Sequence, residues 1–295
     1  MLAADETELD SFVEAVYSTY GHDFRGYRRA SLSRRFENAL AKSGLSSLGE
    51  LRAVVLADPL AFSTFVDDVM VHVSELFRDP NCFRALREHV VPFLRAYPTV
   101  RIWHAGCASG EEVYSTAILL SEEGLYDRAM IYGTDVSELS IERAKKALYR
   151  ASRIRTYSES HRSSGGTTSL SEYYSAAHGQ IILKESIRRH TFFFQHDLIS
   201  DHSLGEMQVV FCRNVLMYLE PRTRERVVAK LAGSLPLGGF LCIGAGEHLP
   251  VVECEHSFKE IVPGSRIYQA RSPLRSVKYR IESDANASAE SLARR

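Results

Sequence analysis

The sequence predicts an α/β protein whose main domain is a doubly wound, mostly parallel sheet, preceded by a small all-α domain. Beyond about residue 98, short β-rich runs alternate with helical stretches, which is the pattern of βαβ units. A turn of small residues follows the first run, at the end where such sheets bind ligands. In roughly the first 70 residues, apolar positions recur at spacings of three and four, so this part should be helical.

The N-terminal domain, residues 1–75, should contain four helices. Local signals mark their ends: Gly21 after a helix over 9–20, Gly44 after a helix over 32–42, Ser47 with Glu50 before a third, and Asp58-Pro59 before a fourth. Asp79-Pro80 repeats the last signal. It predicts an N-cap and a first-turn proline for a helix that links the two domains.

The second domain, residues 76–272, should hold the sheet. We expect strands over 100–103, 130–133, 192–194, 209–212 and 240–244, a last antiparallel strand over 266–270, and helices over 111–123, 138–148 and 221–235. The alternation fails over 151–190, which we interpret as an insertion with a flexible loop over 163–169 and an isolated short strand over 180–183. Residues 273–295 have few large apolar side chains and are predicted to be disordered.

Composition excludes several classes of protein. The net charge of −1 provides no general basic field for nucleic acid. The five cysteines are odd in number and lack a CxxC pair, which argues against a disulfide framework and a zinc site and favours a reducing compartment. The N-terminus is acidic, and no apolar run approaches the roughly 18 residues that a membrane span needs. We expect a cytoplasmic monomer without a metal and without membrane insertion.

The small-residue turn predicts the kind of ligand. It runs from Gly106 to Gly110 and continues into a helix through Glu111 and Glu112. It lacks the lysine of a Walker loop and the third glycine of a dinucleotide motif, so a pyrophosphate is not the expected ligand. Two carboxylates suit a ligand with an ammonium or a sulfonium group instead. Alternatively, they only complement the helix dipole.

Asp135 follows the second predicted strand, about 25 residues beyond Gly110. An acidic residue there can accept both hydroxyls of a ribose, as in dinucleotide folds. Alternatively, Asp135 caps the next helix, although Ser137 could do so as well. Together, the turn and Asp135 favour an adenosine-containing ligand.

Further motifs extend over residues 10–270. They are Tyr20-Gly21-His22-Asp23-Phe24, Ser31-Leu32-Ser33-Arg34-Arg35, Ser74-Glu75-Leu76-Phe77-Arg78-Asp79, the turn with its Gly110-Glu111-Glu112, Thr134-Asp135, Cys212-Arg213-Asn214-Val215 up to Tyr218, and Leu237-Gly238-Gly239. This combination resembles the chemotaxis receptor glutamate methyltransferases of the CheR type. The resemblance implies a Rossmann-like class I methyltransferase domain with a small inserted β-subdomain and a helical N-terminal domain. It also implies S-adenosylmethionine as methyl donor and S-adenosyl-L-homocysteine as product.

The resemblance also implies a set of cofactor contacts. They are His72, Ser74, Arg78, Glu111 or Glu112, Asp135, Asp197, Leu198, Arg213 and Asn214. The sequence departs from the family pattern at three places, with His72 in place of Asn, Leu76-Phe77 in place of a double Phe, and Asp197 in place of Asn. His72 could still donate a hydrogen bond, and Asp197 could accept one from the adenine amino group.

The chemistry implied by the resemblance needs no general base, because a glutamate side chain with a pKa of about 4.3 is already an anion at neutral pH. Arg78 is expected to pair with the cofactor's carboxylate through its guanidinium fork. Tyr218 matches a family tyrosine whose hydroxyl could orient the acceptor carboxylate. The alternatives are an ion pair of Arg78 with Asp79 or Glu75, and a core position of Tyr218 against Leu219.

A basic cluster in the N-terminal domain is the expected contact for acidic receptor helices. It comprises Arg25, Arg28, Arg29, Arg34 and Arg35, of which we expect Arg28, Arg34 and Arg35 to contact the receptor. Arginines opposite an apolar helical face can equally be solvated without a partner. The insertion, with Tyr173, Tyr174 and Gln180–Leu183, resembles the family subdomain that can hold a receptor tether by strand addition.

Three other functions stay open at this point. The chain could methylate a different acceptor, or bind S-adenosylmethionine or a receptor without turnover. An NAD-linked oxidoreductase is disfavoured by the missing third glycine.

Overall fold

The N-terminal domain is a four-helix unit. The structure, a computed structural model, describes residues 6–71, 73–249 and 257–272. The helices are α1 (Glu6–Tyr20), α2 (Arg29–Ser43), α3 (Leu48–Ala57) and α4 (Pro59–Val69). They pack around a core that includes Phe12, Phe36 and Phe65, whose rings lie about 5 Å apart. The predicted caps are present, since Ser47 accepts the N–H of Glu50 and Asp58 accepts that of Leu60.

The linking helix corrects one of the predicted caps. It comprises α5 (Pro80–Ala85), a π-helical turn (Leu86–Val90) and α6 (Val91–Leu94). Pro80 begins it as expected, but Asp79 has a left-handed φ of 56° and makes no capping hydrogen bond. Its carboxylate accepts a hydrogen bond from Arg213 at 2.6 Å instead. The cap prediction for Asp79 was wrong because a distant guanidinium attracts the carboxylate more strongly than a local N–H.

Ten strands form two sheets in the described residues. They are β1 (Val100–Ala105), β2 (Ala129–Asp135), β3 (Leu148–Arg150), β4 (Tyr174–Ala177), β5 (Gln180–Leu183), β6 (Thr191–Gln195), β7 (Val209–Cys212), β8 (Phe240–Ile243), β9 (Phe258–Glu260) and β10 (Ile267–Ala270). The main sheet has the order β6-β2-β1-β7-β8-β10-β9. Its first five strands are parallel, and β10 is antiparallel to both neighbours, as predicted for the last strand. Strand β9 was not predicted.

Helices cover both faces of this sheet. The remaining helices are α7 (Glu111–Glu122), α8 (Glu138–Lys146), α9 (Ile154–Ser163), α10 (Glu185–Arg188) and α11 (Pro221–Gly233). Alternate residues of β1 belong to different cores, since Ile102 packs in the cluster of α7 and Trp103 in that of α11. The doubly wound fold is therefore confirmed. The strand order reverses between β1 and β7, and a ligand crevice is expected at the carboxyl ends there.

The insertion is more ordered than predicted. Strand β5 is not isolated, because it is the central strand of a sheet with the order β3-β5-β4. Strand β3 begins at Leu148, the last residue assigned to the preceding helix, and that helix stops earlier because Ala147 has a left-handed φ of 51°. The loop that was predicted to be flexible contains Ser164, which is fully buried and donates a hydrogen bond to the carbonyl of His161.

A buried ionic cluster joins the insertion to the main domain. Glu122, at the end of α7, contacts His161 Nε2 at 2.9 Å and accepts hydrogen bonds from Thr168 and Arg87. Burial alone would raise the pKa of Glu122, but the hydrogen bonds of His161 and Arg87 lower it to about 2. The carboxylate is therefore ionised at neutral pH.

Two expectations concern the membrane and the C-terminus. None of the helices in the described ranges has the length and apolar character to cross a membrane. The segment 273–295, predicted to be disordered, lies outside the described residues.

Candidate active site

A cavity of about 340 Å³ lies between the helical domain and the carboxyl ends of β1, β2 and β7. Its lining includes Ser74, Arg78, Glu112, Asp135, Leu198, Arg213, Asn214 and Tyr218, all predicted as site residues, together with Arg35. The structure thus brings most of the predicted residues to one place. Its size is in the range of small-molecule sites. His72 lies outside the described residues.

The small-residue turn forms one wall of the cavity. Gly106 and Cys107 donate backbone hydrogen bonds to the carbonyl of Thr134, which holds the turn against β2. Gly106 has a φ of 78°, and a Cβ there would come within 2.5 Å of a methyl group of Val215. Glycine is therefore required both by the backbone conformation and by the close approach of the next loop.

Asp135 faces this turn at the end of β2. Its carboxylate is 9% exposed and accepts the N–H groups of Ala108 at 2.8 Å and Ser137 at 3.0 Å. Ser137 caps α8 by accepting the N–H of Ser140. The alternative that Asp135 serves as the helix cap is therefore wrong. Asp135 lines the cavity in the position expected of a ribose acceptor.

The two glutamates of the turn have different environments. Glu112 lines the cavity and accepts a hydrogen bond from Arg213 at 2.6 Å, while its other oxygen lies 3.0 Å from His104 Nδ1. Burial alone would raise the pKa of Glu112, but the charge of Arg213 and the contact with His104 lower it to about 2. Glu111 points elsewhere, accepts a hydrogen bond from Ser109 and has its pKa raised by burial. Of the two predicted candidates, Glu112 is the one at the cavity.

Arg213 holds two carboxylates. Its side chain is 2% exposed and donates to both Glu112 and Asp79 at 2.6 Å. Burial disfavours the charged guanidinium, but Glu112 and Asp79 raise its pKa, so it stays protonated. The residue was predicted as a cofactor contact. In the structure, its guanidinium pairs with the carboxylates of Glu112 and Asp79.

Arg78 lines the cavity without an ion pair to the carboxylates that were considered. Its Nη1 donates to the carbonyl of Val73 at 3.0 Å. Asp79 contacts Arg213, and Glu75 contacts Arg153 at 2.6 Å. The alternative of a surface ion pair for Arg78 is therefore wrong for the described part of the chain.

Asp197 lies next to two residues of the cavity lining. One of its oxygens accepts the N–H of Ile199 at 2.8 Å, and the other lies 3.5 Å from His22 Nδ1. The neighbouring Leu198 and Ile199 line the cavity, whereas Asp197 does not. A contact of Asp197 with the adenine stays a prediction.

Arg35 and Tyr218 form a pair at the cavity. Arg35 is 8% exposed, donates to the carbonyl of Val69 at 3.0 Å, and places its guanidinium carbon 4.4 Å from the centre of the Tyr218 ring. Of the three arginines predicted to contact the receptor, Arg35 is buried at the cavity, whereas Arg28 and Arg34 are exposed. Tyr218 is half-buried at the cavity, so its alternative as a core residue is wrong.

Comparison with known proteins adds to this geometry. The family model described as "CheR methyltransferase, SAM binding domain" matches residues 72–263, and "CheR methyltransferase, all-alpha domain" matches residues 7–70. The chain belongs to the CheR methyltransferase family. Membership confirms the resemblance, the fold and the enzyme class, an S-adenosylmethionine-dependent methyltransferase of the CheR type.

Relatives match nearly the whole chain. A Pseudomonas putida protein named "Putative methyltransferase Cher3" is 40% identical over 264 residues, which cover 90% of this chain and 97% of that protein. "Chemotaxis protein methyltransferase 1" of Pseudomonas aeruginosa is 28% identical over 282 residues, 92% of this chain and all of that protein. "Chemotaxis protein methyltransferase" of Vibrio anguillarum is 30% identical over 258 residues, 84% of this chain and 91% of that protein.

Several site residues of this CheR family member were missed by sequence reasoning. Tyr27 and His196 line the cavity, and Glu247 accepts the N–H of Asn214, a residue of the cavity lining. Glu247 had one available signal, since an acidic residue soon after a buried strand often lies at the ligand end of a sheet. Tyr27 had none, because only the docking of the helical domain brings it to the cavity.

Proposed function

We propose that the cavity binds S-adenosylmethionine and that a glutamate from the cytoplasmic helices of a chemotaxis-type receptor enters it to be methylated. One observation carries the proposal. The sheet domain supplies the ionised Glu112 and the carboxyl group of Asp135 to the cavity, while the helical domain and the junction supply Arg35 and Arg78. The cavity can thus bind both a cationic methyl donor and an anionic acceptor.

The residues present fit the donor. Asp135 would accept the ribose hydroxyls, Glu112 the ammonium group, and Arg78 would pair with the carboxylate. Ser74 and Asn214 offer further polar contacts, and Leu198 offers an apolar surface for the adenine. When bound, S-adenosylmethionine supplies a methyl group on a sulfonium that is already activated for transfer.

The chain's own residues would position the acceptor and exclude water. The acceptor glutamate, with an ordinary pKa of about 4.3, enters as an anion, so no residue has to remove a proton. Arg35 lies against Tyr218, and together they present a guanidinium and a hydroxyl that can orient a carboxylate. Apolar residues of both domains, among them Met70 and Leu219, line the cavity and reduce its hydration.

The receptor would approach past exposed residues at the edge of the cavity. Val71, Val73 and Met217 line the cavity and are each more than 40% exposed. Arg28 and Arg34 are exposed in the helical domain and would attract the acidic receptor helices. In the insertion, β4 is an edge strand that could add a receptor tether as a further strand, as the resemblance implies.

The test is methyl transfer from labelled S-adenosylmethionine to receptor-containing membranes, followed by alkaline hydrolysis. A carboxyl ester releases the label as methanol. Label that resists alkali would indicate another kind of acceptor. Binding of S-adenosyl-L-homocysteine in calorimetry without any transfer would indicate a non-catalytic relative. Asp135→Ala serves as the inactive enzyme, and Glu138→Ala, an exposed acidic residue of α8 outside the cavity lining, as the matched control.

A further inference from the structure

Glu247 is a buried carboxylate that accepts only backbone hydrogen bonds. It follows β8 and is 4% exposed. Its Oε2 accepts the N–H groups of Gly244 at 2.7 Å and Asn214 at 2.9 Å, and its Oε1 accepts that of Met217 at 3.0 Å. No ion pair of Glu247 occurs among the residues that the structure describes. Such a group is stabilised by N–H dipoles alone.

Two of these donors belong to the segment 214–218, which we call the post-β7 loop. Asn214, Val215, Met217 and Tyr218 line the cavity, with Val215 packed on Gly106 of the small-residue turn and Tyr218 against Arg35. The helical domain also holds the end of the loop, since Arg28 N–H donates to the carbonyl of Tyr218 at 2.8 Å. The Glu247 side chain accepts hydrogen bonds from both Asn214 and Met217 of the loop.

The loop has little freedom to move without affecting the cavity. Asn214 has a φ of 60°, a left-handed conformation that non-glycine residues adopt infrequently. Val215 packs so closely on Gly106 that no side chain would fit there. A shift of the loop would therefore alter the cofactor turn or the placement of Tyr218.

We propose that Glu247 is a positioning residue for methyl transfer, with Oε2 fixing the cofactor end of the post-β7 loop and Oε1 fixing its acceptor end. The assignment rests on the proposed function. All three partners are N–H donors, so both carboxylate oxygens must act as acceptors. A glutamine has one acceptor oxygen, and its amide nitrogen would face an N–H group.

Glu247→Gln separates the two ends. We expect the amide oxygen to keep the two hydrogen bonds from the N–H groups of Gly244 and Asn214. The amide nitrogen then faces the N–H of Met217, and that hydrogen bond is lost. Affinity for S-adenosyl-L-homocysteine in calorimetry should then stay within about twofold, while kcat for receptor methylation falls about tenfold or more, as for the loss of a hydrogen bond to a charged group. Glu247→Ala removes all three contacts and should weaken both cofactor affinity and kcat.

The matched control is Glu50→Gln. Glu50 also accepts a backbone N–H, that of Ser46 at 2.9 Å, but it lies in α3 away from the cavity. Its cofactor affinity and kcat should equal those of the wild type. All rates are compared at a temperature at which circular dichroism shows each variant to be folded. A purely structural role would lower the unfolding temperature and leave kcat of the folded variant unchanged.

The outcomes distinguish this inference from the proposed function. A wild-type protein that transfers no methyl group to any receptor contradicts the function. An active wild type with an unchanged kcat in Glu247→Gln, or with equal losses of cofactor affinity and kcat, overturns the role of Glu247. If Glu247→Gln does not fold, Glu247→Asp replaces it. The shorter side chain of aspartate can reach the N–H of Gly244 but not those of the post-β7 loop. Cofactor affinity and kcat should therefore both fall, and wild-type values of both would overturn the inference.

Discussion

The contact between Arg213 and Glu112 can be tested by removing the charge of Arg213 at nearly constant length. Arg213→Met keeps an unbranched apolar side chain but leaves Glu112 in a site where its side chain is only 17% exposed. Asp79, at 42% exposure, remains solvated and should contribute little. We therefore expect a loss of stability that comes mainly from Glu112.

The pKa of Glu112 gives the magnitude. Its fall from an ordinary 4.5 to about 2, at 1.36 kcal/mol per pH unit, corresponds to about 3 kcal/mol. The contact with His104 and the burial of Glu112 both remain in the variant, and they act on its pKa in opposite directions, so we take about 3 kcal/mol as the expected loss. It agrees with the roughly 3–5 kcal/mol typical of removing one partner from a buried ion pair.

The loss should depend on pH in a defined direction. Because the pKa of Glu112 is lower in the folded than in the unfolded protein, its stabilising contribution is complete above about pH 4.5 and disappears as the pH falls through about 2. Urea unfolding without cofactor should thus show the largest difference between wild type and Arg213→Met near neutral pH. The difference should narrow as the pH approaches 3.

The control is Arg155→Met. Arg155 is 91% exposed and pairs with Glu159 at 3.0 Å along one helix. Such a pair stabilises by about 0.3–0.5 kcal/mol, so the variant should unfold almost as the wild type does. A loss below about 1 kcal/mol in Arg213→Met, or a loss of constant size from neutral pH to acid, would refute the assignment of the pKa of Glu112 to Arg213.

Three further comparisons separate binding, transfer and stability. Asp135→Ala should weaken binding of S-adenosyl-L-homocysteine at least tenfold in calorimetry, because it removes a charged acceptor of hydrogen bonds. If Asp135→Ala binds as tightly as the control Glu138→Ala, the assignment of Asp135 to the ribose is wrong. Arg35→Ala should lower kcat at any ionic strength, because Arg35 is buried at the cavity. Arg34→Ala should raise the KM for receptor only at low salt, because salt screens an exposed charge. The same salt dependence in both variants would contradict the different burial of the two side chains. Glu122→Gln should lower the free energy of unfolding, measured in urea, by about 3 kcal/mol without changing cofactor affinity. A change in affinity would show that the ionic cluster of Glu122 influences the cavity.

Local patterns in the sequence predicted the elements that depend on local physics. The turn at Gly106 and the acidic residue at Asp135 were found because both follow directly from the end of a strand. The same kind of reasoning could not choose between Glu111 and Glu112. Adjacent residues of a helix point about 100° apart, and only the position of Arg213 decides which of the two faces the cavity.

Errors arose where a distant residue outweighed a local signal. Asp79 precedes a proline as a helix cap would, yet its carboxylate contacts a residue 134 positions further along. Strand β5 was predicted to be isolated because one of its partners, β3, begins where the sequence still indicates a helix. In each case the competing partner is defined only by the tertiary fold.

The helical domain contributes side chains to the cavity as well as the surface that is predicted to bind the receptor. Arg35 was assigned to receptor binding because it belongs to a basic cluster in the sequence, and in the structure it packs on Tyr218 in the cavity lining. The backbone of Arg28 also holds the carbonyl of Tyr218. In the proposed function, a receptor helix that binds the exposed side of α2 would contact the helix that carries Arg35. Recognition and positioning of the acceptor would then share one element.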